Sequence, residues 1–316
     1  MGKYVCGDAA DMDRLVEETC RAIGAEIAAL SIPPLAGVVL GGGYGRGEGG
    51  VDETCGRRRL ANDLDFYTVT HEGAGAADIA AIAAALAPVS EKWSREIGID
   101  VDFCVPKTPW RIKHDEKRLM IQELVRGYID VCGAPGHVLF ADIERLPAEE
   151  LPFGEAERLL LNRGAGLLLA KEPGRDAKFV VRNINKAVLG AGDARLIARG
   201  GYMWRMAERA AALGESLYAR AAEWKARPRE EAVCTWEEAR ACWLAACAEV
   251  AASPRAQTGG RTLRNALRWF VRRRTVGPFA SFGLEPEKRV LAGIKRAVEE
   301  RRGFAPALKK DWTVFN

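Results

Sequence analysis

Histidine is scarce in this chain: three in 316 residues, His71, His114 and His137. Their spacing excludes an H-E-x-x-H zinc helix or any other histidine cluster, and each reads as a surface or hydrogen-bonded core residue. The eight cysteines, Cys6, Cys20, Cys55, Cys104, Cys132, Cys234, Cys242 and Cys247, include no Cys-x-x-Cys pair. That argues against a zinc ribbon or a thioredoxin-like centre; scattered among apolar neighbours, they suit buried thiols in a reducing compartment. No G-x-S-x-G elbow is present, which argues against a Ser-His-Asp hydrolase, and no Gly-Lys-[Ser/Thr], which excludes a P-loop. No stretch approaches an uncharged membrane span, and Met1-Gly2-Lys3-Tyr4 opens no secretory apolar core. The expectation is a cytoplasmic protein without a membrane partner. Its oligomeric state is not legible.

What is present is ordinary in bulk. Hydrophobic residues make up 48% and charged residues 28%, as in a soluble globular protein, and the length allows two domains. Charge is uneven. Ser253–Asn316 carries fifteen Lys/Arg against five Asp/Glu, a net +10, which leaves −6 for Met1–Ala252 in a chain of net +4. A solvated basic helix face explains this, and so does a surface that attracts phosphate or nucleic acid.

Periodicity places the elements. Val16, Cys20, Ile23, Ile27 and Leu30 recur at helical steps over Asp11–Leu30, and Pro33-Pro34 ends that run. Strands are predicted at Val38–Leu40, Leu64–Thr70, Ile97–Val105 and Tyr128–Cys132. Helices are predicted at Ala76–Pro88 and Thr108–Arg126. Pro147 and Pro152-Phe153-Gly154 read as a linker, which divides the chain into residues 1–150 and 151–316. Beyond it the pattern is helical only: Glu155–Lys171, Lys178–Leu189, a break at Gly190-Ala191-Gly192-Asp193, then Ala194–Leu213, Glu215–Arg227 and Thr235–Ala252. The last of these opens with the capping box Thr235-Trp236-Glu237-Glu238. Thr262–Arg273 and Pro286–Arg302 follow, the latter started by its proline. Trp204, Trp236, Trp243, Trp269 and Phe270 fall at apolar helix positions and read as core.

Val38–Val69 carries the chemistry. The apolar run Val38–Leu40 leads into Gly41, Gly42, Gly43, Gly45, Gly47, Gly49 and Gly50. Such a turn tolerates positive φ and close approach of a ligand, and its N–H groups suit an anion. Gly45, Gly47 and Gly50 fit G-x-G-x-x-G in spacing, but Val51-Asp52-Glu53 opens no amphipathic helix, so a dinucleotide fold is not indicated. Asn62-Asp63-Leu64-Asp65-Phe66 then alternates acid and apolar residues. A period of two puts both carboxylates on one strand face, where they repel unless a cation lies between them. Oxygen ligands of this kind suit Mg²⁺. A second alternating run, Ile99-Asp100-Val101-Asp102-Phe103, supplies further acids.

G-G-Y-G-R-G-E followed by N-D-L-D-F and a later acidic strand resembles the signature of the polymerase-β-like nucleotidyltransferase superfamily, over roughly the first third to half of the chain. The resemblance implies an α+β protein: an N-terminal mixed β-sheet flanked by helices, followed by an all-α helical domain, with the nucleotide in the cleft between them. It implies Asp63, Asp65 and Asp102 as ligands of two Mg²⁺ ions (or Mn²⁺), with Asp102 nearest the attacking oxygen and Asp100 as the alternative third acid. It implies an NTP, ATP foremost, held by Gly42, Gly43, Tyr44, Arg46 and Glu48, with Lys186 as a candidate triphosphate ligand. It implies transfer of a nucleoside monophosphate to a hydroxyl or phosphate acceptor, a small molecule favoured over RNA or protein. Two departures stand out: Gly43 replaces the serine many relatives carry, and Val51–Ala61, with Arg57, Arg58 and Arg59, lengthens the loop before Asp63. Taken singly, the motifs have plainer readings. Asp63 and Asp65 also read as solvated strand-end acids, Arg46–Glu48 as a loop-holding ion pair, and Lys186 as an exposed helix lysine. A non-catalytic nucleotide-binding module of the same fold and a basic RNA-binding protein are the alternative functions.

Overall fold

The structure, a computed structural model, describes residues 2–54, 56–258 and 286–314. The helix expected at Thr262–Arg273, with Trp269 and Phe270, lies outside the described residues. The protein is mixed α+β. It divides into one unit of Met1–Leu146 with Lys225–Arg229, and another of Pro147–Trp224 with Glu230–Asn316. The linker prolines mark the first break. Nothing in the sequence marks the assignment of Lys225–Arg229 to the first unit.

In the first unit, α1 (Ala10–Ala29) buries Met12, Val16, Cys20, Ile23 and Ile27 along one stripe. Four strands, β1 (Leu35–Leu40), β4 (Leu64–Thr70), β5 (Val101–Phe103) and β6 (Ile129–Gly133), form a mixed sheet in the order β5-β4-β1-β6. β1 is antiparallel to both β4 and β6, and β4 is parallel to β5. Strand alternation sorts the side chains. Val38, Leu40, Leu64, Phe66 and Val101 join the α1 stripe in one core, with Ile82, Leu86 and Val89 of α3 (Ala76–Ile97). Val39 and Val69 face the opposite core, against Ile112, Ile121 and Leu124. Each such buried side chain contributes roughly 1.5–3 kcal/mol.

Three expected boundaries are corrected. α3 continues past Pro88 to Ile97, which takes Ile97 out of the third strand. Pro88 and Ala84 both lie on the exposed side, so the carbonyl that loses its partner to the proline meets water, while Val89 is still buried on the sheet. The helix expected over Thr108–Arg126 is two: α4 (Pro109–His114) and α5 (Leu119–Leu124), separated at buried Asp115, which draws Lys107, Arg111 and Arg118 around itself. In the stretch before Asp63, β2 (Val51–Asp52) pairs antiparallel with β3 (Arg59–Leu60).

The second unit is helical among its described residues: α7 (Phe153–Ala170), α8 (Ala177–Arg199), α9 (Met206–Leu213), α10 (Ser216–Ala226, whose end is assigned to the first unit), α11 (Trp236–Ala252) and helices at Pro286–Glu299 and Pro306–Thr313. The expected break at Gly190–Asp193 is absent, and α8 runs through it. Gly190 and Gly192 are packing residues: a Cβ at either would collide with the Arg163 side chain or the Tyr218 ring. Thr235 and Glu238 close the expected capping box, with Thr235 N–H donating to Glu238 Oε2 at 2.7 Å and Glu238 N–H to Thr235 Oγ1 at 3.2 Å. Trp243 is fully buried and donates Nε1–H to Leu160 C=O at 3.0 Å. Trp204 and Trp236 are half-buried.

Candidate functional site

Parallel pairing of β4 with β5 sets Leu64 opposite Val101, Asp65 opposite Asp102 and Phe66 opposite Phe103. Register partners on neighbouring strands present their side chains to the same face. Asp65 and Asp102 therefore share a face. On the other, the rings of Phe66 and Phe103 stack with centroids 5.1 Å apart. Asp63 lies immediately before β4 and keeps the parity of Asp65. Asp100 stands just before β5, where its carbonyl accepts from Leu64 N–H at 2.9 Å. Asp102, not Asp100, is the residue in register with Asp65. Asp102 is exposed, and Asp63 and Asp65 are half-buried.

The glycine turn sits against Asp65. Gly41 N–H donates to Asp65 C=O at 2.8 Å, and Gly45 N–H to Gly41 C=O at 2.8 Å. Gly41 thus opens a single helical turn, α2 (Gly42–Gly45), whose first N–H groups, those of Gly42, Gly43 and Tyr44, have no preceding intrahelical acceptor and carry partial positive charge. Gly42 adopts φ +60°, and a Cβ there would overlap Asp65 Oδ2. The left-handed φ is what favours glycine at this position, and any side chain there would displace the Asp65 carboxylate. A Cβ at Gly43 would come nearest to Glu48 C=O, at 3.4 Å.

Tyr44 has a different role from the ligand contact expected of it. Its ring is fully buried. Its hydroxyl donates to Gly50 C=O at 2.9 Å and accepts from Ala61 and Asn62 N–H at 3.1 and 3.3 Å. Burial pushes that hydroxyl up to about 12. The side chain ties the turn to the segment that leads into Asp63, so any ligand contact at Tyr44 falls to its backbone. Asn62, which the sequence reading did not single out, makes the matching tie: its Oδ1 accepts from Gly50 N–H at 2.6 Å. The amino-terminal segment braces the turn from outside, with Cys6 N–H donating to Gly49 C=O at 2.9 Å and Gly49 N–H to Tyr4 C=O at 3.0 Å.

Arg46 and Glu48 form an ion pair, Nε to Oε2 3.5 Å, and Arg46 Nη1 lies 3.3 Å from Glu123 Oε2 on α5. All three are largely buried. Glu123 carried no signal in the sequence. Tyr67 follows Asp65 by two residues and packs its ring on Gly41; burial raises its hydroxyl above the usual phenol range, with Asp65 and Glu123 adding to the rise. Burial pushes the Cys104 thiol up to about 11, with the negative charge of Asp65 and Asp102 adding to it and Lys107 opposing. The face that carries the acids is thus lined by Tyr67, Cys104 and the Arg46–Glu48–Glu123 group.

Lys186 belongs to the second unit. It is half-buried on α8, one turn beyond Arg182 and beside buried Asn185, whose Oδ1 accepts from Val233 N–H at 3.0 Å. Among the described residues no set of three His, Cys, Asp or Glu side chains is gathered closely enough to hold a metal ion. Two of the three expected ligands are register partners, and the third shares their parity. Their oxygens are hard donors of the type that Mg²⁺ and Mn²⁺ take. No protein-family profile, curated protein or solved structure matches the chain.

Proposed function

We propose that the protein is a divalent-metal-dependent nucleotidyltransferase of the polymerase-β-like type, moving a nucleoside monophosphate from an NTP to a hydroxyl or phosphate acceptor with release of pyrophosphate. One observation carries the reading: Asp65 and Asp102 are cross-strand partners, and the glycine turn closes on Asp65, whose carboxylate a Cβ at Gly42 would overlap. An anion-receptive backbone and a paired-acid cation site are thereby held side by side, as a nucleotide–metal complex requires.

Asp65 and Asp102 would hold the cation, with Asp63, which keeps their parity, as the third ligand. Mutual repulsion opposes the gathering of three carboxylates unless positive charge lies among them. A bound divalent ion supplies charge that neutralises phosphate oxygens and makes the acceptor hydroxyl more acidic. The N–H groups of Gly42 and Gly43 orient the phosphates. Asp102, the most exposed of the acids, accepts the proton of the acceptor hydroxyl. Arg46 is held by Glu48 and Glu123 and keeps the turn in shape.

The assay is pyrophosphate release with Mg²⁺ and ATP for wild type, Asp63→Ala and Asp65→Ala. Both variants are expected to fall about 10²–10³-fold, the scale of losing one preorganised charged group. Equal rates in all three end the mechanistic reading. A second reading is a nucleotide-binding module of the same fold without turnover. Calorimetry that finds ATP binding, with no pyrophosphate from any acceptor, selects it.

A further inference from the structure

A second concentration of chemistry lies on the same unit. Beyond β5 the backbone stays beside β4: Cys104 N–H donates to Phe66 C=O at 2.8 Å, Lys107 N–H to Thr68 C=O at 3.0 Å, and Thr70 N–H to Lys107 C=O at 3.0 Å. Lys107 comes to rest opposite Val69, roughly 13 Å along the strand from the Asp65–Asp102 pair at ~3.3 Å per residue. Thr108 then caps α4, its Oγ1 accepting from Arg111 N–H at 3.1 Å.

Three cations gather on one carboxylate there. Asp115, 5% exposed, has Lys107 Nζ at 3.7 Å, Arg111 Nε at 3.2 Å and Arg118 Nε at 3.2 Å. Among the described residues no other carboxylate pairs with any of the three, so the group carries a surplus of positive charge. Burial lowers the Lys107 ammonium, and Arg118 and Arg111 lower it further against the pull of Asp115. An incoming anion relieves that crowding. On the same short helix Trp110 stands 63% exposed, while Ile112 is the residue α4 buries. His114 lies one turn on with its ring parallel to the indole, at 5.3 Å and 4°. An aromatic side chain already held by a stacked neighbour has little freedom left to lose on binding.

We propose that this patch binds single-stranded nucleic acid, one base stacking on Trp110 and the adjoining phosphates lying against Arg111 and Arg118. An acidic peptide would satisfy the cations and leave the exposed part of the indole uncovered. A nucleotide unit offers a π-face and a negative charge at fixed spacing. The open setting suits a strand laid across the surface. In the nucleotidyl-transfer reading the bound strand is the acceptor, its end directed along β4 toward Asp102. That role rests on the proposed function, but the binding does not.

The test is fluorescence anisotropy with a labelled single strand of about twelve nucleotides, in EDTA so that transfer and metal binding play no part. Wild type is expected to bind with a steep salt dependence. Trp110→Ala is expected to weaken binding about tenfold and Trp110→Phe to restore most of it. Arg111→Gln with Arg118→Gln is expected to lower the slope of log affinity against log salt by about 1–2. Adenosine monophosphate should compete only at far higher concentration than unlabelled strand. Circular dichroism checks that each variant is folded. Unchanged affinity for Trp110→Ala, an unchanged salt slope for the arginine pair, or equal competition by the mononucleotide overturns the proposal, whatever the fate of the Asp63 and Asp65 variants in the pyrophosphate assay.

Discussion

Gly42 and Gly43 are neighbours of the same type with different obligations. A methyl group at Gly42 meets Asp65 Oδ2 and is asked to adopt φ +60°, whereas one at Gly43 meets a carbonyl at ordinary contact distance. Gly42→Ala should therefore lose about 1–3 kcal/mol of stability from strain and displacement, and should lose pyrophosphate release along with it. Gly43→Ala should stay within about 1 kcal/mol of wild type. Urea unfolding of the two variants decides this, and equal costs would mean that the turn does not press on Asp65. At this scale the sequence displayed the acids and the glycines, because alternation and glycine density are local signals. It did not display Asn62, Glu123 or the burial of Tyr44. Those depend on which segments the fold brings together, and a tyrosine within a glycine run looks the same whether it faces a ligand or anchors the loop.

Elements were legible where periodicity spoke alone. α1, β4 and the capped start of α11 follow directly from apolar spacing and a threonine three residues before a glutamate. The departures occurred where a residue usually read as punctuation was put to another use. Gly190 and Gly192 let neighbouring helices approach and do not end α8, and Pro88 sits where only water faces the broken hydrogen bond. Asp115 is the reverse case, an acid inside an apparently continuous helical pattern that gathers three cations and ends the helix. α3 gives a direct check. Pro88→Ala restores the N–H of residue 88 to Ala84 on the exposed side and should stabilise the protein by about 1–2 kcal/mol, the restored bond outweighing the lost rigidity of the unfolded chain. A destabilised variant in thermal or urea unfolding would show that the proline supports a bend the sheet needs.

Across the whole molecule, ionisable groups are buried in both units. Burial pushes Cys20 and Tyr44 in the first unit, and Cys247 in the second, up to about 12 each. These groups fold in their neutral forms and bind their protons more tightly than the unfolded chain does. The stability they contribute is complete below the unfolded thiol value of 9.0 and is lost as pH rises toward 12. The urea midpoint should therefore fall between about pH 8 and about pH 10.5, and a flat profile across that window would contradict the burial described. The two-unit, α+β plan was legible from the change of pattern at Pro147–Gly154. The assignment of Lys225–Arg229 to the first unit was not, because a short polar segment carries no mark of where it packs. The central claim is that Asp65 and Asp102 hold a divalent cation against the glycine turn. Electron paramagnetic resonance of Mn²⁺ with a non-hydrolysable ATP analogue tests it most directly. Wild type and Asp100→Asn should bind the ion alike, and Asp65→Asn and Asp102→Asn should release it; retention of bound Mn²⁺ by both of the latter would contradict the account.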